Sequence, residues 1–205
     1  MKIEKVEPSR HVKGRFLVFF EDESLIKVTE GEVLSFSLYA GRDLSEEELK
    51  ALREAAGVSG ARARAASIIG ARALSKQELQ KRLEQKGESP ENASDAVAWL
   101  EEIGAIDDRA YASSVVRHYS ARGYGPAKLR DELYRRGVPK ALWEEAIAEA
   151  PDPAEAIDRY IAGKLRTQSA DEKTLKRISD GLRRRGFRWE DIKDALRRLD
   201  AEPED

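Results

Sequence analysis

The pattern of apolar and polar positions divides the chain into a short strand-forming segment and a long helical remainder. Arg15–Phe20 and Ser24–Val28 are rich in aromatic and β-branched residues and are joined by a polar link, which is the pattern of a β-hairpin. Lys2–Val6 alternates with a period of two and predicts a third strand, since an isolated hairpin is only marginally stable. We therefore expect a small hairpin or three-stranded module at the start of the chain, covered by a helix.

Helix-start signals follow this segment. Ser45 precedes Glu48 by three residues, the spacing of a capping box, and Ser75 precedes Glu78 in the same way. Asp107 stands before another apolar-periodic stretch and can cap it. From the first capping box onward the spacing predicts helices only.

An internal repeat of about 50 residues organises the helical part. Each copy has two apolar residues four positions apart on one helix face, then a basic residue and a glycine suited to a left-handed C-cap. The copies are Leu79, Leu83, Lys86 and Gly87; Leu129, Leu133, Arg136 and Gly137; and Ile178, Leu182, Arg185 and Gly186. Three matches at near-constant spacing are not explained by chance agreement between unrelated helices.

The predicted fold is therefore mainly α. A leading helix before each pair makes every unit a three-helix bundle, and units this small must contact their neighbours to be stable, so we expect three tandem repeats in an elongated array. The predicted segments are a β-rich module with a helix at 1–58, repeats at 59–108, 109–155 and 156–199, and an acidic tail at 200–205.

The net charge of -2 conceals a segregation of charge along the chain. Basic blocks occupy residues 115–137 and 159–188, and an acidic stretch from Glu144 to Asp158 separates them. Such blocks are often only solvated helix faces, but they are also typical of proteins that bind a polyanion or a charged partner. The candidate contact residues for either partner are Arg117, Arg122, Lys128, Arg130, Arg135, Arg136, Lys176, Arg177, Arg183, Arg184 and Arg185.

Aromatic residues near these blocks have two uses. Trp143, Phe187 and Trp189 fall at or beside apolar helix positions, which favours core packing. Tyr119 and Tyr124 are less constrained by the pattern, and base stacking stays open for them.

Catalytic and metal-binding chemistry finds little support. The chain has no cysteine and two histidines in different segments, so we expect no enzyme activity, no metal site and no cofactor. Asp107 and Asp108 do not face each other on a helix, and an N-cap explains the pair better than catalysis does. No apolar run could span a bilayer, and the first residues lack a secretion signal, so we expect a cytoplasmic protein without a membrane partner.

Residues 61–199 resemble the RecX family of regulators. The resemblance rests on the order and spacing of Arg72–Gly87, Leu100–Ala112 and Gly123–Val138, with looser agreement in the third repeat. Two positions that are usually bulky in the first helix of the array, Ala66 and Ala71, are small in this chain.

The resemblance implies a non-enzymatic regulator that binds the RecA filament on single-stranded DNA. It would lower RecA's ATP hydrolysis, strand exchange and co-protease activity, acting in recombinational repair and the SOS response. A monomer suits an asymmetric array of this kind. Direct contact with single-stranded DNA stays open, as do two alternatives: a helical module that binds DNA by itself, and a repeat scaffold for an unrelated partner.

Overall fold

The computed structural model describes residues 1–201, and the predicted tail beyond Ala201 lies outside the described residues. A mainly α fold with a small sheet at its start is confirmed. The strands are β1 (Ile3–Pro8), β2 (Arg15–Phe20) and β3 (Leu25–Thr29). The helices are α1 (Glu30–Ser35), α2 (Glu46–Ala71), α3 (Lys76–Gln85), α4 (Pro90–Glu102), α5 (Asp108–Ala121), α6 (Pro126–Arg135), α7 (Trp143–Ala148), α8 (Pro153–Leu165), α9 (Glu172–Arg184) and α10 (Trp189–Ala201), with a 3-10 turn at Lys140–Leu142 before α7.

The sheet is a three-stranded antiparallel meander in the order β1-β2-β3. Val18 on the central strand lies opposite Val6 and Ile26, so one face of the sheet is apolar across all three strands. That face is buried against α1 and the first half of α2, with Phe20 and Leu52 inaccessible to solvent. The third strand and the covering helix are what an isolated hairpin lacks for stability.

Helix α2 is the longest element of the described chain, at 26 residues. The predicted capping box is present, because the Ser45 hydroxyl accepts from the Glu48 amide and the Glu48 carboxylate accepts from the Ser45 amide. The helix runs without interruption through the predicted boundary between residues 58 and 59, since glycine costs a helix only about 1 kcal/mol relative to alanine. At Gly57 a Cβ would lie 2.8 Å from the side-chain nitrogen of Asn92, so the glycine lets α4 approach closely.

The described chain forms two compact units. The first contains residues 1–73 and 78–106, that is, the sheet, the two covering helices, most of α3 and all of α4. The second contains residues 74–77 and the chain from residue 107 onward, which includes α5 to α10.

The three repeat copies end their second helix in the same way. Gly87, Gly137 and Gly186 all adopt the left-handed conformation, with φ of 90°, 66° and 88°. The residue after each glycine donates its amide to a carbonyl five positions earlier, at Leu83, Leu133 and Leu182 respectively, which is the bond of a Schellman cap. The apolar pairs of all three copies are buried as predicted.

Each helix triplet of the second unit has its own apolar core. In the second repeat, α5 and α6 pack with α7 around residues that include Val116 and Leu133. In the third repeat, α8, α9 and α10 pack around residues that include Ile161, Leu182 and Ile192. The two cores are small, so the contacts that join these repeats to each other matter for stability.

Candidate interaction surface

Most basic candidates of the second repeat are paired within the fold. Arg130 makes two hydrogen bonds, each 2.9 Å long, to the carboxylate of Glu144. These bonds raise the pKa of Arg130, against a smaller opposing effect of burial. Arg117 lies 3.7 Å from Glu149. The acidic stretch after the first basic block therefore folds back on that block and neutralises part of it.

Arg136 belongs to a partly buried polar network in the same repeat. Its guanidinium donates to the hydroxyls of Tyr111 and Tyr119, both at 3.1 Å, and its Nε lies 3.8 Å from Glu132. Burial alone would lower the pKa of Arg136, but the bonds with the two tyrosines outweigh it and the pKa is raised. Lys128 approaches the same Glu132 carboxylate at 3.3 Å. Burial would raise the pKa of Glu132, yet hydrogen bonds with Tyr119 and Lys128 and the nearby positive charges lower that pKa below its ordinary value.

Replacing Arg136 by alanine is expected to lower the free energy of unfolding by about 2 kcal/mol. Glu132 then loses a half-buried cation, and the hydroxyls of Tyr111 and Tyr119 lose the guanidinium that donates to them. Arg135 is the matched control: it also neighbours Glu132, at 3.8 Å, but its side chain is 66% exposed. Arg135→Ala should stay within about 0.5 kcal/mol of wild type in urea denaturation. Equal effects of the two substitutions would contradict the network.

Arg185 joins the second repeat to the third. Its Nη1 donates to the carbonyl oxygens of Arg122 and Gly123, at 3.0 and 3.2 Å. Its guanidinium carbon lies 5.6 Å from the ring centre of Tyr124 and 4.9 Å from that of Tyr160, within the range of cation–π contacts. Arg185 is thus engaged inside the protein, unlike its neighbours Arg183 and Arg184.

The backbone completes this junction, which we call the inter-repeat joint. The amide of Gly125 donates to the carbonyl of Arg185 at 2.8 Å, and the amide of Ala127 donates to the carbonyl of Gly186 at 3.1 Å. A Cβ on Gly125 would lie 2.6 Å from the Gly186 oxygen, so there is no room for a side chain where these two segments meet. The start of α6 is therefore seated directly on the turn that ends α9.

A related contact occurs at the start of α3, in the part of it that belongs to the second unit. The Ser75 hydroxyl donates to the carbonyl of Arg136, the residue before the next repeat's glycine. A Cβ on Gly137 would lie 2.5 Å from Oε1 of Gln77 and 3.1 Å from its Cβ, so this turn is also closely covered. The basic residue and glycine that recur in the sequence thus mark the place where the start of the preceding repeat's second helix docks.

Four candidate cations of the third repeat are exposed and stand apart from this pairing. Lys176, Arg177, Arg183 and Arg184 project from α9 on the side opposite its buried residues Ile178 and Leu182, and Lys173 lies on the same side. We call these five residues the α9 basic face: Lys173, Lys176, Arg177, Arg183 and Arg184. No carboxylate of the described residues lies within 4 Å of them. The remaining candidate, Arg122, is exposed in the second repeat with its Nη1 3.4 Å from His118 Nε2.

The aromatic residues follow the core prediction except at one position. Phe187 is buried, and Trp143 is half-buried with its indole nitrogen donating to the carbonyl of Val138 at 2.9 Å. The prediction was wrong for Trp189, which is 54% exposed because it is the first residue of α10, ahead of the turn that faces the core. Tyr119 and Tyr124 are half-buried, and each contacts an arginine of the second unit.

Among the described helices, none is long and apolar enough to cross a membrane. Within residues 1–201, no group of three or more His, Asp or Glu side chains is arranged to hold a metal ion.

Comparison with known proteins identifies the repeats. Residues 107–147 match the family model described as the second three-helix domain of RecX. The regulatory protein RecX of Pelodictyon phaeoclathratiforme is 33% identical over 144 residues, which cover 68% of this chain and 89% of that protein. The RecX of Clostridioides difficile is 26% identical over 203 residues, covering 96% of this chain and 95% of that protein. A crystal structure of a regulatory protein RecX superposes with a TM-score of 0.72 at 24% identity, covering 94% and 98% of the two chains.

The class of protein is therefore a three-helix repeat protein preceded by a small sheet. More particularly, this chain belongs to the RecX family of regulatory proteins.

Proposed function

We propose that this protein is a regulator that binds the RecA filament on single-stranded DNA and lowers RecA's ATP hydrolysis, strand exchange and co-protease activity. It would act in the cytoplasm, as a monomer and without catalysis of its own. Membership of the RecX family is the observation that carries the proposal.

The charge arrangement of the second unit supports a specific contact surface for this function. Arg117, Lys128, Arg130, Arg136 and Arg185 are engaged by carboxylates, hydroxyls, carbonyls or rings of the same unit. The α9 basic face has no such partners within the described residues, so it can meet an external negative charge without first breaking an internal contact. We therefore assign the filament contact mainly to α9.

Co-sedimentation tests the binding part of this proposal. RecA from the same source is assembled on single-stranded DNA with a slowly hydrolysed ATP analogue, and the filament is pelleted with increasing amounts of this protein. We expect saturable pelleting with the filament, and much less pelleting with free RecA under the same conditions. If the protein stays in the supernatant at every concentration, with its folded state verified by circular dichroism, the proposal fails.

A further inference from the structure

The α9 basic face has a regular geometry. Its five cations lie on the solvent side of one helix over about 16 Å, given a rise of 1.5 Å per residue. Successive turns of the helix present Lys173, then Lys176 with Arg177, and finally Arg183 with Arg184; Asp180 occupies the turn between them. The face is therefore a positive stripe along the helix axis.

Trp189 follows this stripe after the turn at Gly186. It is exposed, and its chain neighbours Arg188 and Glu190 are exposed and polar. Glu190 makes this end less positive, so a contact made there relies on the indole rather than on a cation.

We infer that the α9 basic face and Trp189 together form a binding site for single-stranded nucleic acid. Phosphates lie along the cations of α9, and a base stacks on the indole of Trp189. Single-stranded nucleic acid combines a continuous negative backbone with exposed aromatic faces, and sites for it pair a basic track with an aromatic platform. The inference rests on the proposed function for its setting, and it names the DNA strand, rather than an acidic protein surface, as what α9 contacts.

The second repeat supplies the contrast that favours this assignment. Its arginines are already matched to carboxylates at defined positions, such as Arg130 with Glu144, and its tyrosines Tyr119 and Tyr124 are occupied by Arg136 and Arg185. The second repeat also has an exposed ring, Tyr134 at 74%, but its neighbour Arg135 lies 3.8 Å from Glu132. The α9 basic face, by contrast, has no carboxylate within 4 Å among the described residues.

The test uses the full chain and a fluorescein-labelled 30-mer of deoxythymidine, without RecA. Fluorescence anisotropy is measured from 50 to 200 mM salt for wild type and for the triple variant Lys176→Glu, Arg183→Glu and Arg184→Glu. We expect at least tenfold weaker binding by the variant, and a logarithmic salt dependence shallower by about 2, since each phosphate contact on a single strand contributes about 0.7. Circular dichroism verifies that the variant is folded.

A matched control separates the site from net charge. Lys50→Glu, Arg53→Glu and Lys81→Glu reverse three exposed cations of the first unit and change the net charge by the same amount. This control should bind the oligonucleotide within about threefold of wild type at 150 mM salt, where exposed charges are screened beyond about 8 Å. Equal weakening by the two triple variants would overturn the inference in favour of nonspecific charge.

Trp189 is tested separately. Trp189→Ala should weaken oligonucleotide binding at least fivefold, and Trp189→Phe should recover most of the loss because a phenyl ring also stacks on a base. Equal affinity of wild type and Trp189→Ala would remove the stacking part of the inference and overturn the site as stated.

The outcomes distinguish this inference from the proposed function. If wild type does not bind the bare oligonucleotide while the α9 triple variant loses binding to the RecA filament, α9 contacts an acidic protein surface; the inference is then overturned and the proposed function stands. If the oligonucleotide results are as expected but RecA activity is unaffected, the inference stands and the proposed function fails.

Discussion

The triple variant Lys176→Glu, Arg183→Glu and Arg184→Glu is expected to bind the assembled RecA filament at least tenfold more weakly than wild type. These side chains are exposed and make no ion pair within the described residues, so their reversal removes external contacts only. Reversing them places three negative charges against a polyanionic assembly, where like charges repel. Co-sedimentation at a fixed filament concentration measures the effect.

The same variant should fold normally. Two of the new carboxylates stand in the last turn of α9, where the helix dipole favours cations, and near Asp180. Helical content should therefore stay close to wild type while the free energy of unfolding falls by about 1 to 2 kcal/mol. Arg185 is left out of the variant because its substitution would also disturb the inter-repeat joint. Unchanged filament binding by the triple variant, with the first-unit control also unchanged, would exclude α9 as the contact surface.

Gly186→Ala is expected to lower the free energy of unfolding by about 3 kcal/mol. A Cβ at this left-handed position is strained, and it would also meet the backbone nitrogen of Lys128 and lie 3.1 Å from its Cα. These atoms of Lys128 belong to the backbone, so they cannot move away by a change of side-chain rotamer. The start of α6 and the turn after α9 must therefore separate.

Gly87→Ala is the matched control for the joint. Gly87 has nearly the same φ, 90° against 88°, but nothing lies within 4 Å of the position of its Cβ. This substitution should cost only the backbone strain, about 1 to 2 kcal/mol. The difference between the two variants in urea denaturation measures the inter-repeat joint, and equal losses would show that the close approach of the two repeats contributes nothing to stability.

Local features of the fold could be predicted from the sequence. The capping box at Ser45 and Glu48, the left-handed glycines and the buried apolar pairs each depend on residues within a few positions of one another. The three strands were predictable for the same reason, since two of them are short runs rich in β-branched or aromatic residues and the other alternates with a period of two.

The roles of the basic residues could not be predicted in the same way. Arg130 and Glu144 are 14 residues apart, and Arg185 contacts the carbonyl of Arg122 across 63 residues, so these partners depend on how helices pack. For Arg185, the repeat pattern itself gave an indication of its role. The basic residue before each repeat glycine recurs in all three copies, and the structure shows docking at two of them, Arg136–Gly137 and Arg185–Gly186.

Trp189 shows the limit of periodicity at helix ends. A residue in the first turn of a helix can share the spacing of the core positions and still lie beyond the facing helices. Its exposure became visible only when α9 and α10 were placed together, and it is the reason that we assign Trp189 to the proposed nucleic-acid site.

The central claim, regulation of RecA, is tested most directly by RecA's ATP hydrolysis on single-stranded DNA. The rate is measured while this protein is titrated from far below one copy per RecA protomer, with RecA from the same source. We expect a marked fall at substoichiometric amounts, because one copy bound in a filament would affect many protomers. An unchanged rate over the whole titration, with both proteins folded, would contradict it.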